Sequence, residues 1–469
     1  MTELPKGWAE AAAGAVCDVV GGATPRTDTA AYWGGEIPWV TPDDLSKDRR
    51  KLVDGGRRSL TQVGLESCAA TLVPAGTVLF TSRAPIGYVA IASRPVATNQ
   101  GFKSLTPSDA LTSDFLYWQL QYLTETIRGL GSGTTFAEVS KKVMATVPLR
   151  IAPIAEQERI VTAIEEAFSK LDAGEAGLRV VRQLLKRMRD AILSAAVTGR
   201  LVPQDPTDAP AAKLLADLGL EAAEPEGVPE LPPSWSWAEL GVIAEVVGGV
   251  TKDSKRQSDP SFVEVPYLRV ANVQRGFLDL ETITTIRVAP EKAAQLELQP
   301  GDVLFNEGGD RDKLGRGWVW EGQIASCIHQ NHVFRARLSG GVEPKLVSIW
   351  GNTFGRGWFE DRGKQTTNLA SLNLKTLKAF PVPIAPVEEQ SRILAEVERQ
   401  MSFLDACERA VDVGLARSAG LRRSVLKAAF EGQLVPQDPS DEPATVLLER
   451  IRAERSAQPV AKRRARQTA

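Results

Sequence analysis

Ile151-Ala152-Pro153-Ile154-Ala155-Glu156-Gln157 opens a long helix-forming stretch, and it returns as Ile384-Ala385-Pro386-Val387-Glu388-Glu389-Gln390, 233 residues further on. Gly199-Arg200-Leu201-Val202-Pro203-Gln204-Asp205-Pro206 returns as Gly432-Gln433-Leu434-Val435-Pro436-Gln437-Asp438-Pro439, again 233 residues on. The stretch between the two motifs therefore has one length in both copies. Toward the start of each copy, Leu4-Pro5 and Trp8 match Leu231-Pro232 and Trp235. Val19-Val20-Gly21-Gly22 matches Val246-Val247-Gly248-Gly249 at the same spacing of 227. Gly76-Thr77-Val78-Leu79-Phe80 matches Gly301-Asp302-Val303-Leu304-Phe305 at 225. A spacing that wanders early in each copy and then locks describes two diverged modules, each leading into a rod of fixed length.

The locked stretches read as helices. From Glu156 to about Thr198 there is no proline, and good helix formers dominate. Ile160, Ile164, Ala167, Leu171, Gly174, Leu178, Val181, Leu185, Met188, Ile192 and Ala195 alternate steps of four and three, a heptad pattern. Gly199 and then Pro203 close the helix. At ~1.5 Å per residue, about 42 residues make a rod of roughly 60 Å. The second copy runs from Glu389 to Glu431, with a seam of Ile393, Val397, Leu404, Val411, Leu421, Val425 and Ala428. Gln400, Cys407, Gly414 and Ser418 interrupt it. An apolar stripe of this length needs a partner. Each rod suits the other, antiparallel, with a module at each end. Independent core helices in separate domains would leave the equal lengths and matching seams without a cause.

The expected architecture is α+β with a pseudo-twofold internal repeat. It comprises a first module (1–150), a first long helix (151–202), a Pro-rich acidic connector (203–230), a second module (231–383), a second long helix (384–435), and a C-terminal connector with a basic tail (436–469). The connector holds a short helix from Ala211 to Leu218. Both modules read as mixed α/β, because apolar runs such as Thr77–Phe80 and Tyr88–Ala92 lie between Gly and Pro breaks. The tail after Glu454, with Arg455, Lys462, Arg463, Arg464 and Arg466, reads as solvated.

Composition narrows the class. At 43% hydrophobic and 24% charged residues, the 469-residue chain is not wholesale disordered. It has no apolar run of membrane-spanning length and no secretory signal at Met1–Pro5. Cys17, Cys68, Cys327 and Cys407 lie far apart, which suits a reducing, cytoplasmic location. A net charge of −2 gives no hint of nucleic acid, so any such function must come from local patches.

The loops of the modules supply those patches. In the first they offer Thr24, Arg26, Tyr32, Trp33, Thr41, Ser82, Arg83, Asn99 and Gln100. In the second they offer Lys252, Lys255, Arg256, Arg269, Asn272, Asn306, Arg311, Lys313, Arg316, Gln330, Asn331, His332, Gln365, Thr366 and Asn368. Arginine reads guanine, and Asn or Gln reads adenine, by paired hydrogen bonds, while Lys and backbone amides hold phosphates. Catalytic motifs are missing: there is no P-loop, no amino-methyltransferase Asn-Pro-Pro-Tyr/Phe or Asp-Pro-Pro-Tyr, and no glycine-rich cofactor loop. Cys327-x-His329-x-x-His332 offers three ligand types, but strand alternation turns His332 away from the other two. No metal site is expected.

These features together resemble the specificity subunit of type I restriction-modification systems, over nearly the whole chain. The most specific parts are Leu201–Pro206 with its second copy and the two Ala-Pro-x-x-Glu-Gln helix starts. Gly34-Gly35-Glu36-Ile37-Pro38-Trp39-Val40-Thr41-Pro42-Asp43-Asp44-Leu45 and the stretch from Asn306 to Gly317 look like that family's target-recognition domains. The resemblance implies two such domains joined by antiparallel helices, each reading half of a bipartite, asymmetric site in double-stranded DNA. It implies that the helices set the spacer and dock modification subunits, with two the expected number, and that restriction subunits join that core. Helix pairing and docking would fall to Gln157, Ile164, Leu171, Leu178, Leu185, Ile192, Gln390, Val397, Leu404, Val411, Leu421 and Val425. S-adenosylmethionine, ATP and Mg would sit on partner subunits, and this chain would be non-catalytic. The first module lacks the polar insertion with Asp310-Arg311-Asp312-Lys313, so the two modules should read different sequences. The competing readings are a self-sufficient nuclease, for which no paired carboxylates are found, and a coiled-coil scaffold without DNA binding.

Overall fold

The computed structural model describes residues 4–47, 50–83, 85–132, 137–253, 256–258, 260–309, 313–365 and 370–457. The chain divides into two compact units, Met1–Leu178 with Val413–Ala469, and Arg179–Asp412. No helix among the described residues is long and apolar enough to cross a membrane.

In the first unit, Ala9–Ala12 pairs antiparallel with Pro148–Ile151, in register Ala9 to Ile151, immediately before the first long helix, Ile154–Ala196. Between these strands lies a five-stranded sheet in the order Cys17–Gly21, Phe102–Pro107, Val78–Ser82, Ile86–Ala92, Leu52–Val53. A three-stranded sheet follows the order Arg58–Leu60, Trp33–Val40, Ala97–Thr98. Val78, Leu79 and Phe80 are all fully buried, so their strand is covered on both faces and reads as an unbroken apolar run. The helix Ser113–Tyr122 starts at Thr112, whose hydroxyl accepts the Phe115 N–H at 3.2 Å. It buries Phe115 against Trp8 and Phe430, with ring centroids 6.4 and 5.2 Å apart.

The same core takes in Leu447, Leu448 and Ile451 from the helix Ala444–Ala457. This corrects the expected C-terminal connector, part of which is core. The Ala444 N–H donates to the Gly7 carbonyl at 2.9 Å. Arg455 donates to the Gly14 carbonyl at 2.8 Å and pairs with Asp18 at 3.3 Å. The basic residues Lys462, Arg463, Arg464 and Arg466 lie outside the described residues.

The second unit repeats the plan. Ser236–Glu239 pairs with Pro381–Ile384, in register Ser236 to Ile384, just before the second long helix, Val387–Phe430. A four-stranded sheet runs Ala244–Gly248, Val333–Leu338, Val303–Asn306, Gly317–Val319. A three-stranded one runs Thr284–Val288, Val263–Leu268, Ile328–His329. The short helix Ala211–Asp217 buries Ala211 and Leu215 in this unit's core, with Trp235, Trp350, Phe380, Ile393 and Val397. The stretch read as a connector is thus partly core. Gln204 donates to Glu389 at 2.6 Å, and Asp208 pairs with Arg392. Arg159 and Asp441, each 233 residues from its counterpart (Arg392 and Asp208 in turn), pair in the first unit at 2.6 Å.

Both helix starts are fastened by the glutamine of their motif. Gln157 accepts the Thr112 N–H at 2.9 Å and donates to the carbonyls of Ala110 and Ala152 at 2.8 and 2.9 Å. Gln390 accepts the Glu343 N–H at 2.7 Å and donates to Gly341 and Ala385 at 3.0 and 2.9 Å. Both side chains are buried, so the expectation that they dock a partner is corrected: each bolts its helix to its own module. The adjoining Glu156 and Glu389 are buried too, and burial pushes both carboxyls above the usual range. Both helices end alike. Gly199 and Gly432 have φ of +68°, a conformation glycine adopts without strain. The next N–H, of Arg200 or Gln433, returns to the carbonyl of Ala195 or Ala428 at 2.9 and 2.8 Å.

Within each unit, part of one long helix packs antiparallel on part of the other. In the second unit Arg182 pairs with Asp412, and Arg189 with Asp405 and Glu408 at 2.6 and 3.4 Å. In the first, Arg422 reaches Asp172 and Glu175 at 2.6 and 3.0 Å, and Ser418 donates to Glu175 at 2.7 Å. One row of the expected seam, including Leu171, Leu178, Leu185, Ile192, Val397, Leu404, Val411 and Val425, is buried or half-buried. The other row holds at Ile160, Ala167, Ala195, Ile393 and Ala428 but slips by one residue in between: Gly174, Val181, Met188 and Leu421 face solvent, and half-buried Glu175, Arg189 and Arg422 lie next to them. Leu421, 43% exposed, is a correction to the expected pairing set. The physical reason is that long charged side chains lay their stems along the apolar row and find ion partners across it.

Candidate nucleic-acid interface

In the first unit the predicted loops meet along one edge of the sheets. The Ala23 N–H donates to Thr98 O at 2.9 Å, and Asn99 N–H to Val40 O at 3.0 Å. A side chain at Gly22 would strike Asn99 O at 2.1 Å, so only glycine lets the two loops touch. Thr24 bonds Gln100, Arg26 is exposed, and the Trp33 indole donates to the Arg26 carbonyl at 3.1 Å. Half-buried Tyr32 lies in the short 3-10 turn just before Trp33. Thr41 donates to Asp44 at 2.6 Å and stays half-buried. Asn99 accepts the Gly101 N–H at 2.9 Å, an Asx-type turn that shapes the loop. Arg83 faces Glu138 at 3.4 Å.

Ser82 does not belong to this surface. It is fully buried, donates to Gly101 O at 3.2 Å and accepts from buried Lys103 at 3.0 Å. Lys103 also reaches Glu138 at 3.2 Å. Ser82 is corrected to a framework residue.

Beside the loops lies an open cleft of about 720 Å³ that the sequence reading missed. Lys47, Arg50, Arg57, Arg58 and Arg94 line it, against Glu36, Asp44 and Asp54. Arg57 is held by Asp43 and Asp44. The signal was present in Gly55-Gly56-Arg57-Arg58, where two glycines let the backbone approach closely beside two arginines.

The second unit builds the same edge. Val250 N–H donates to His329 O at 2.9 Å, and a side chain at Gly249 would strike that oxygen at 2.0 Å. Asn331 N–H returns to Val250 O at 2.9 Å, which places Gln330, Asn331 and His332 beside exposed Lys252. His332 is exposed, bonded to Glu307, with Asn331 3.3 Å from its other ring nitrogen. Arg269, Lys313 and Arg316 are half-buried, and Arg316 donates to Val270 O at 3.2 Å.

Asn272 and Asn306 are corrected to framework residues. Asn272 is buried, donates to the carbonyls of Asp279 and Thr282 at 2.9 and 3.0 Å, and accepts the Arg269 N–H at 2.9 Å. Asn306 is fully buried and donates to Val273 O at 2.8 Å. Short amides close turns as readily as they read bases, and these two close the loop that carries Arg269. Lys255, Arg311, Thr366 and Asn368 lie outside the described residues, as do the side chains of Arg256 and Gln365.

The Cys327 cluster does not converge. Cys327 is fully buried, and burial pushes its thiol up to about 12. His329 is buried with Nδ1 2.6 Å from Val333 O, and burial lowers its pKa to about 4. His332 is exposed, and its Nδ1 pairs with Glu307. Among the described residues no group of three metal-binding side chains gathers. What both edges display is loop donors and cations on a rigid frame, an arrangement suited to a polyanion with readable edges.

Comparison with known proteins agrees. A family model described as type I restriction modification DNA specificity domain matches residues 5–177. The MjaIX type I restriction enzyme specificity subunit of Methanocaldococcus jannaschii is 37% identical over 320 residues, 67% of this chain and 69% of that protein. The EcoKI specificity subunit of Escherichia coli is 24% identical over 97% of each chain. Among solved structures, the HsdS subunit from Thermoanaerobacter tengcongensis shares the fold with a TM-score of 0.58 at 17% identity, covering 92% of this chain and 98% of its own. A chain from a structure of the type I R-M system does so with a TM-score of 0.63 at 20% identity, over 92% and 100%. With its repeated modules, paired helices and loop edges, this chain belongs to the family of type I restriction enzyme specificity subunits.

Proposed function

We propose that the chain supplies DNA sequence specificity to a restriction-modification complex and catalyses no step itself. Each module reads one half of a bipartite, asymmetric site in double-stranded DNA, and the paired helices set the spacer between the halves. Modification subunits dock on the helices and restriction subunits join them in the cytoplasm. S-adenosylmethionine, ATP and Mg belong to those partners. One observation carries this reading: a single loop frame, Ala23 to Thr98 and Val250 to His329, holds different side chains in the two modules. Equal frames with unequal loops suit two readers of different sequences. A scaffold without DNA contact would have no use for that difference.

The spacer is tested by lengthening both helices. A matched heptad inserted near Leu178 and near Val411 preserves the seam, whereas one or two residues rotate it by roughly 100° each. Seven residues add about 10 Å, or three base pairs at ~3.4 Å each. The recovered motif should keep both half-sites and gain about three base pairs between them. An original spacer from a complex that still assembles would reduce the helices to a docking surface.

A further inference from the structure

Trp33 begins the strand Trp33–Val40, just before a register shift between Trp33 and Ile37 against Arg58–Leu60. Gly34 within the shift has φ +82°, which glycine takes without strain, and such bulges re-aim neighbouring side chains. The Trp33 ring is fixed on two sides. Its N–H donates to Arg26 O at 3.1 Å, and it meets Trp39 edge-on, centroids 5.0 Å apart at 74°. Trp39 is itself buried and donates to Ala23 O at 3.2 Å.

On this ring lies Arg58, with Cζ 3.4 Å from the ring centroid. Arg58 is exposed, and its guanidinium has no hydrogen-bond or ion-pair partner among the described residues. The neighbouring Arg57 differs, being tied to two carboxylates. A guanidinium lying on an indole face keeps its in-plane N–H donors at its rim, and the stack pre-orders a side chain that otherwise carries ~2 kcal/mol of rotamer entropy. Two parallel in-plane donors match O6 and N7 of guanine. A phosphate could take the same donors, but that contact needs only positive charge, which Arg94 of the same cleft also carries. The frame does not require this arginine either. In the second module the residue facing Tyr267, the counterpart of Trp39, is Thr284.

We infer that Arg58, pre-oriented on Trp33, is a guanine-reading residue of the first module. This rests on the proposed reading that the first module recognises DNA. The test is selection from a random duplex library by the full chain assembled with its modification subunits, followed by sequencing. R58A should relax one G·C position of one half-site, with discrimination there falling roughly 5- to 150-fold, the 1–3 kcal/mol of a bidentate contact. All other positions should hold. R58K keeps the charge but loses the fork and should relax the same position, as should W33A, which removes the platform. Uniform weakening with an unchanged motif would make Arg58 a phosphate contact and overturn the inference. An unchanged selection would overturn it too. Exchanging residues 1–150 in the same assay separates the two layers. If that exchange alters no half-site, the reading of the module fails; if it alters one and R58A alters nothing, only the role of Arg58 fails.

Discussion

A chain ending at Pro443 is expected to lose the stable fold of its first module. The helix Ala444–Ala457 contributes Leu447, Leu448 and Ile451, each under a tenth exposed, to the core that holds Trp8, Phe115 and Phe430. At about 1.5–3 kcal/mol for each buried Leu or Ile, their removal costs roughly 5–9 kcal/mol. A whole domain has only about 5–15 kcal/mol in hand. The Arg455–Asp18 pair adds little, because exposed ion pairs contribute about 0–1 kcal/mol. Hydrogen exchange reads the effect locally. Amides of Ala9–Ala12 and of Leu149, Arg150 and Ile151 should lose protection, while those of Ser236–Glu239 keep it. Unchanged protection in the first pair of strands would show that the helix is an ornament on a module already complete.

Aspartate at both Leu184 and Phe403 is expected to weaken association with modification subunits by at least 100-fold while leaving the chain folded. The buried row of Leu185, Val397, Leu404 and Val411 is used up within the helix pair. Leu184 and Phe403 are 54% and 62% exposed, with Val181 and Met188 also open. At 100° per residue in two antiparallel helices, Val181, Leu184 and Met188 share a side with Phe403. The opposite side carries Arg182–Asp412 and Arg189–Asp405. Apolar groups clustered on one side and charges on the other mark the first as the side to be covered. Burying two carboxylates there costs several kcal/mol, and 2.7 kcal/mol is already about a hundredfold. Arg182→Ala on the charged side is the control. Co-purification and sedimentation read the outcome, and retained affinity in the double aspartate variant would move the docking site elsewhere.

Much of the fold was legible because the chain says it twice. The 227 and 233 spacings reappear as the paired registers Ala9 to Ile151 and Ser236 to Ile384. The seam was half legible. A heptad rule follows apolar residues, and here part of one row is made by Glu175, Arg189 and Arg422, which no apolar count selects. The helix at Ala444 was missed because a basic stretch outweighed the spacing of Leu447, Leu448 and Ile451. The loop clusters were found as regions, but the role of each polar residue was not. Asn99 and Asn272 both bond local backbone, yet one stays half-buried at the edge of its module and the other is buried within its own. Burial is a tertiary property that residue type does not carry. Arg58 was passed over because what distinguishes it from Arg57 is Trp33, brought to it by a strand register and not by sequence proximity.

The central claim is that two modules on one chain each specify half of a DNA site. Base-resolution sequencing of DNA methylated by the assembled complex tests it most directly, comparing the native chain with one whose residues 1–150 come from a relative. The account predicts an asymmetric motif of two conserved blocks with a fixed, unread spacer, and an exchange that rewrites one block while the other and the spacer stay the same. A continuous motif, or an exchange that changes both blocks, would contradict it.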